Sequence, residues 1–185
     1  MDDKRYFLEN IVKENEGKKI LVFVRTKVRA ERVQKAMERV QISASVLHGG
    51  IEQLDRFSLL NQFKSGEVQL LIATDVAARG IDIPGVEIVI NYDLPDQAEN
   101  YVHRIGRTGR GREKGGALSF CSSEEKIYLH AIQKWIGKSI PEHAMTKSEY
   151  TQILDDTEED FGDWQALLKK EENSDKKFKS KKKKK

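Results

Sequence analysis

Apolar residues along the chain follow two patterns that take turns. Short, nearly continuous apolar runs occur at 18–24 (KKILVFV), 44–48 (ASVLH), 68–74 (VQLLIAT), 86–92 (VEIVINY) and 116–121 (GALSFC). Runs of this length, bounded by polar residues, suit strands buried on both faces. Between them, apolar residues recur every three or four positions, which predicts helices with one buried stripe. Phe7, Leu8, Ile11 and Val12 mark an opening helix. Val28, Val33, Met37 and Val40 mark a second, with Thr26 as its N-cap, and Leu54, Phe57, Leu60 and Phe63 a third, closed near Gly66. A helix from about Gln97 runs into an arginine-rich stretch. Ser122 and Glu125 suit a capping box ahead of Ile127, Leu129, Ile132 and Ile136. Strands alternating with helices predict an α/β fold, a parallel sheet with helices on both faces. Ligands of such sheets bind beyond the carboxyl ends of the strands. Arg25 and Thr26, His48 and Gly49, Thr74 and Asp75, and Tyr92 and Asp93 all stand there.

The alternation stops near Pro141, so residues 1–142 are expected to form the folded domain. Residues 143–168 carry the acidic run DDTEEDFGD and then WQALLKK begins. They are expected to form an acidic linker or a short docking helix using Leu154, Phe161, Trp164 and Leu168. Residues 169–185 hold ten lysines and three acids, a net of +7, and should be disordered. The whole chain is +3, so the other 168 residues sum to −4 and any nucleic-acid site among them must be a local patch. The tail suits a nucleic-acid tether, a solubility tail or a cloning remnant. No apolar run reaches the roughly 18 residues of a membrane span, and the charged, amphipathic start is no signal peptide. Cys121 is the only cysteine, which excludes an internal disulfide and fits a reducing cytoplasm.

Chemistry concentrates in three stretches. HRIGRTGRGR (103–112) sets Arg104, Arg107 and Arg110 three apart among Gly106, Gly109 and Gly111. On a helix that spacing gathers like charges on one face, and glycine weakens a helix by about 1 kcal/mol per residue. An anionic partner offsets both costs, and the guanidinium fork matches phosphate. A solvated basic face is the plain alternative. ATDVAARGIDIPGV (73–86) leaves a buried strand at Thr74–Asp75 and reaches Gly80 and Asp82; an ordinary strand connection with Gly80 at positive φ reads equally well. HGGIEQLDRF (48–57) opens backbone at Gly49 and Gly50, with Gln53 and Arg56 on the exposed side of a helix that buries Leu54, Phe57 and Leu60. GKS at 137–139 is a false phosphate loop, because position 132 is Ile, a helix precedes it and Pro141 follows.

Taken in order, LVFVRTK, HGGIEQLDR, TDVAARGIDIP and YVHRIGRTGR resemble the motifs of the C-terminal RecA-like domain of DEAD-box RNA helicases. The resemblance runs from about Lys18 to Cys121, and a bacterial RhlE-like member is a plausible subgroup. It implies that Arg107 and Arg110 act as arginine fingers on ATP and that Gly80 and Asp82 meet its ribose. It implies that His103 and Arg104 bridge two domains, and that Arg25, Thr26, Gly49, Gln53, Arg56 and Thr74 line a path for RNA backbone. It implies ATP with Mg²⁺, bound mainly by an N-terminal RecA-like domain whose motifs are not in these residues, and hence an excised domain or a natural fragment, expected to be inactive alone and monomeric. No metal ligand set is expected here. Two rival readings are a stand-alone RNA-binding or partner-docking module, and half of a DNA-directed helicase.

Overall fold

Five strands form one all-parallel sheet in the order β2-β3-β1-β4-β5. They are β1 (Ile20–Val24), β2 (Ala44–Leu47), β3 (Leu70–Thr74), β4 (Ile88–Asn91) and β5 (Gly116–Ser119), each inside one of the five apolar runs. The structure, a computed structural model, describes residues 4–83, 85–109 and 115–143. The chain groups into Met1–Pro141 and a second unit from Glu142, so the expected acidic segment beyond His143 and the lysine tail lie outside the described residues.

The continuous runs are continuous because both sheet faces are covered. On one face Ile20, Val22, Val24, Val46, Leu70, Ile72, Ile88 and Ile90 pack with Leu8 and Val12 of α1 (Lys4–Glu14) and with Ala30, Val33 and Met37 of α2 (Lys27–Arg39). On the other, Leu21, Phe23, Leu47, Leu71, Ala73 and Val89 meet Phe63 of α3 (Gln53–Ser65) and Ala77 and Ala78 of α4 (Asp75–Ala78). Each large apolar side chain so buried contributes about 1.5–3 kcal/mol. A third, smaller core joins Leu94 and Tyr101 to Leu129 and Ile132, where α5 (Ala98–Ile105) packs on α6 (Lys126–Ile136). The register sets Phe23 beside Ala73 and Asn91, so β1, β3 and β4 end level with one another.

Local signals act as read. Thr26 Oγ1 accepts the Arg29 amide at 3.2 Å and caps α2. The Ser122 amide donates to Glu125 Oε2 at 3.1 Å while the Glu125 amide donates to Ser122 Oγ at 3.3 Å, a reciprocal pair one residue before α6. Gly66, at φ +83°, ends α3.

Two expectations are corrected. Leu54 and Phe57 do not face the core; they are 82% and 58% exposed. A stripe stepping by three drifts about 60° per step on a helix of 3.6 residues per turn, so Leu54 stands opposite the buried Phe63. The row that turns inward is Arg56, Leu59, Leu60 and Phe63. The helix from about Gln97 does run into the arginine stretch: α5 ends at Ile105 with Gly106 as its C-cap, so of the three arginines Arg104 is the helical one among the described residues. Val28 and Ile127, placed on buried stripes by spacing, are 55% and 66% exposed.

Candidate nucleotide and nucleic-acid site

The loop after α5 turns back onto the loop after α4. Arg107 Nη1 donates to the carbonyl of Ile81, between Gly80 and the exposed Asp82. Gly80 lies at φ +71°, a conformation that costs a side chain strain, and it turns the chain out of α4 toward Asp82. Thr108 Oγ1 lies 2.8 Å from the carbonyls of Val86 and of Glu87. Gly115 packs so closely on Thr108 and the Gly109 amide that a Cβ there would collide with both. Gly80, Asp82 and Arg107, named from two separate stretches, are therefore neighbours. Arg110 and Pro84 lie outside the described residues.

Beneath this loop, Arg104 is 1% exposed. Its Nε and Nη2 donate to the two carboxylate oxygens of Asp75 at 2.6 and 2.7 Å. Its Nη1 donates to Asn91 Oδ1 at 3.0 Å and to the Asp93 carbonyl at 2.7 Å. Its guanidinium sits 5.1 Å from the centre of the Phe23 ring. These four bonds lie inside the domain and tie α5 to the ends of β3 and β4. His103 is exposed on α5, with Nε2 3.9 Å from Glu99.

The remaining site residues stand at the carboxyl ends of the neighbouring strands β2, β3 and β1. Gly49 is exposed with open space where a Cβ would be, and Gln53 is exposed at the start of α3. Arg56 differs from the exposed position expected of it: it is half-buried, and its Nε is buried without a partner among the described residues. Thr74 is buried at the end of β3, and Thr26 is exposed at the end of β1. Arg25 donates its amide to Asp93 Oδ2 at 3.0 Å and its Nη2 to the Leu94 carbonyl at 3.0 Å, with its guanidinium 5.2 Å from the Tyr128 ring centre. His48 is buried; its Nδ1 accepts the Gly50 amide at 3.1 Å.

The family of the helicase conserved C-terminal domain matches residues 3–112, more than half of the chain. The chain belongs to that family. Its relatives place this helicase domain among the DEAD-box RNA helicases. It is 44% identical over 152 residues to the ATP-dependent RNA helicase RhlB of Xanthomonas oryzae pv. oryzae, covering 82% of this chain and 26% of that protein. The E. coli DEAD-box protein SrmB, in a crystal structure with regulator of ribonuclease activity A, superposes with a TM-score of 0.74 at 34% identity, over 78% of this chain and 85% of that one. S. cerevisiae Dbp5 bound to RNA and ADP BeF3 superposes with a TM-score of 0.68 at 36% identity, over 75% of this chain and 38% of that one. The chain spans about a quarter of the length of the RhlB relatives it matches. The fold is RecA-like, as the resemblance implied.

One buried ion pair beside the carboxyl end of β4 was not read from the sequence. Glu125, 7% exposed, receives Lys4 Nζ at 2.6 Å, the Leu94 amide at 3.1 Å and the Ser122 amide at 3.1 Å. Lys4 Nζ also donates to the Tyr92 carbonyl at 2.7 Å and lies 3.8 Å from Asp93. Burial alone would raise the Glu125 carboxyl, but the Lys4 hydrogen bond and charge, with the Ser122 and Leu94 amides, hold it below its ordinary value. The capping pattern named Glu125, yet nothing in the sequence paired it with a lysine 121 positions earlier. Among the described residues no three His, Cys, Asp or Glu side chains gather as a metal site, and no helix is long and apolar enough to cross a membrane.

Proposed function

We propose that this domain supplies one wall of an ATP site and part of an RNA backbone grip in an ATP-dependent RNA helicase. The observation that supports this most is the meeting of Arg107 with the Gly80–Asp82 loop. It gathers a phosphate-matching cation and a ribose-matching carboxylate in one cluster of loops. Arg107 and Arg110 would act as fingers on phosphates held by a second, N-terminal RecA-like domain, and Asp82 with Gly80 would meet the ribose. Mg²⁺ would be held with those phosphates mainly by that other domain. Phosphoryl transfer depends chiefly on positioning and charge, and an arginine finger supplies about 10³–10⁵ in rate.

Arg25, Thr26, Gly49, Gln53, Arg56 and Thr74 would contact RNA phosphate and sugar, so binding would be indifferent to sequence. Arg104 would couple the two sites: Asp75 follows Thr74 on the RNA side, and Arg107 follows α5 on the nucleotide side. His103, exposed on the same helix, would face the other domain. The chain alone would neither hydrolyse ATP nor unwind a duplex, and would be monomeric.

The test uses the full-length protein. Arg107→Ala should cut RNA-stimulated ATPase by orders of magnitude and leave RNA affinity nearly unchanged. Arg107→Lys should rescue poorly, because an ammonium keeps the charge and loses the fork. Gln53→Ala should lower RNA affinity and spare nucleotide affinity. Loss of RNA binding with retained ATPase in Arg107→Ala would make the arginines an RNA clamp, and RNA-stimulated turnover by the 185-residue chain alone would overturn the two-domain reading.

A further inference from the structure

Helix α6 has two surfaces of very different character. Leu129, Ile132 and Ile136 close the third core against α5. The opposite surface carries Ile127, Ala131 and Trp135, all exposed, with Ile127 at 66% and Trp135 at 58%. These three stand at four-residue intervals and so form one stripe along about two turns. Lys126, His130 and Lys134, each one position earlier, form a second stripe beside it, also exposed. From Lys126 to Pro141 the sequence contains no Asp or Glu. Lys126 and Lys134, about two turns apart on this stripe, are its fixed cations, and no acid from Lys126 onward in the helix neutralises them.

A solvated face has no use for an exposed isoleucine and tryptophan in register, and an RNA strand has no use for an aliphatic stripe between its aromatic contacts. We infer that this face of α6 is a docking surface for an acidic amphipathic helix of a partner protein. Charge and shape select that occupant together. Ala131 leaves a notch between Ile127 and Trp135, which receives one large apolar side chain of a facing helix. Acids on the partner, stepping alongside its apolar residues, lie against Lys126 and Lys134. Tryptophan at the centre of a desolvated patch is the usual energetic anchor of such contacts. The surface lies on a helix apart from the Gly80–Arg107 cluster and is independent of the activity proposed above.

The chain has two tryptophans, so Trp164→Phe leaves Trp135 as the sole indole reporter. The probe is a fluorescein-labelled helical peptide with leucines and glutamates in adjacent stripes at four-residue intervals. The expected result is saturable binding with a blue shift of Trp135 emission. Trp135→Ala should weaken binding at least tenfold by peptide anisotropy. Lys134→Glu should weaken it too, and a peptide with its glutamates changed to lysines should restore binding to Lys134→Glu alone, which a misfolded variant would not permit. Binding that ignores Trp135→Ala overturns the inference. So does displacement of the peptide by a single-stranded RNA 12-mer, which would make the surface a nucleic-acid platform. So does peptide binding that appears only after residues 144–185 are removed, which would assign the face to the chain's own acidic stretch.

Discussion

Replacing Arg104 by Ala should unfold this domain more readily than any other change at its ligand edge. The substitution strips Asp75 of both charge-assisted bonds, leaves the fully buried Asn91 amide oxygen without its donor, and opens a void beside Phe23. Removing one partner of a buried ion pair costs about 3–5 kcal/mol. The Asp75 side chain is 25% exposed, so water can rehydrate its carboxylate and the lower end of that range applies. With a urea slope of about 1–3 kcal/mol per molar, the midpoint of the 185-residue chain should fall by at least about 1 M. Arg104→Lys should recover only part, because one ammonium cannot hold both Asp75 oxygens, Asn91 and the Asp93 carbonyl. Asp75→Asn added to Arg104→Ala removes the stranded charge, so the double variant should lose less than the sum of the singles, by about 0.5–3 kcal/mol. An Arg104→Ala midpoint within about 0.2 M of wild type, about half a kcal/mol at such slopes, would refute the lock and return Arg104 to a role outside the domain.

Three other outcomes follow from the packing and charge. The lowered carboxyl of Glu125 contributes stability that is present above its ordinary value of 4.5 and fades as pH falls through the folded value. The denaturation midpoint of Glu125→Gln should therefore lie well below wild type at pH 7, and the gap should narrow below about pH 4.5; a constant gap across the acid range would remove charge from the account. Phe63→Ala should cost about 3–5 kcal/mol, whereas Leu54→Ala should stay within about 0.5 kcal/mol, measured by urea melts of the same chain. Deleting residues 169–185 should flatten the salt dependence of RNA binding by up to about 0.7 log units for every lysine that had neutralised a phosphate, and an unchanged slope would make those lysines bystanders.

The sheet was readable because its strands are buried on both faces, so their apolar runs stand out without any need to know their partners. Thr26 and the Ser122–Glu125 pair were readable for a different reason: caps act within a few residues of themselves. Leu54 and Phe57 misled because spacing by three mimics a stripe over a turn or two and then drifts around the helix. The buried pairing of Arg104 was not readable because its partner, Asp75, lies 29 positions away, across the end of the sheet. A guanidinium looks the same in sequence whether it faces phosphate or a buried carboxylate. Gly80, Asp82 and Arg107 were named separately on a family likeness, and their adjacency is a property of the folded chain alone.

The bond between Lys4 and Glu125 joins the first described residue to one 121 positions later. A ribosome adds about 5–20 residues per second, so α1 waits roughly 6–24 s during synthesis for the anion that its lysine requires. Meanwhile β1 is made before both of the strands that flank it, β3 and β4. The apolar β1 is thus made well before either of its neighbours and stays uncovered at both edges until β3 and then β4 follow, which makes it a natural client for a holding chaperone. Nascent chains halted at increasing lengths should gain protease resistance abruptly, once Glu125 has cleared the exit tunnel, rather than strand by strand.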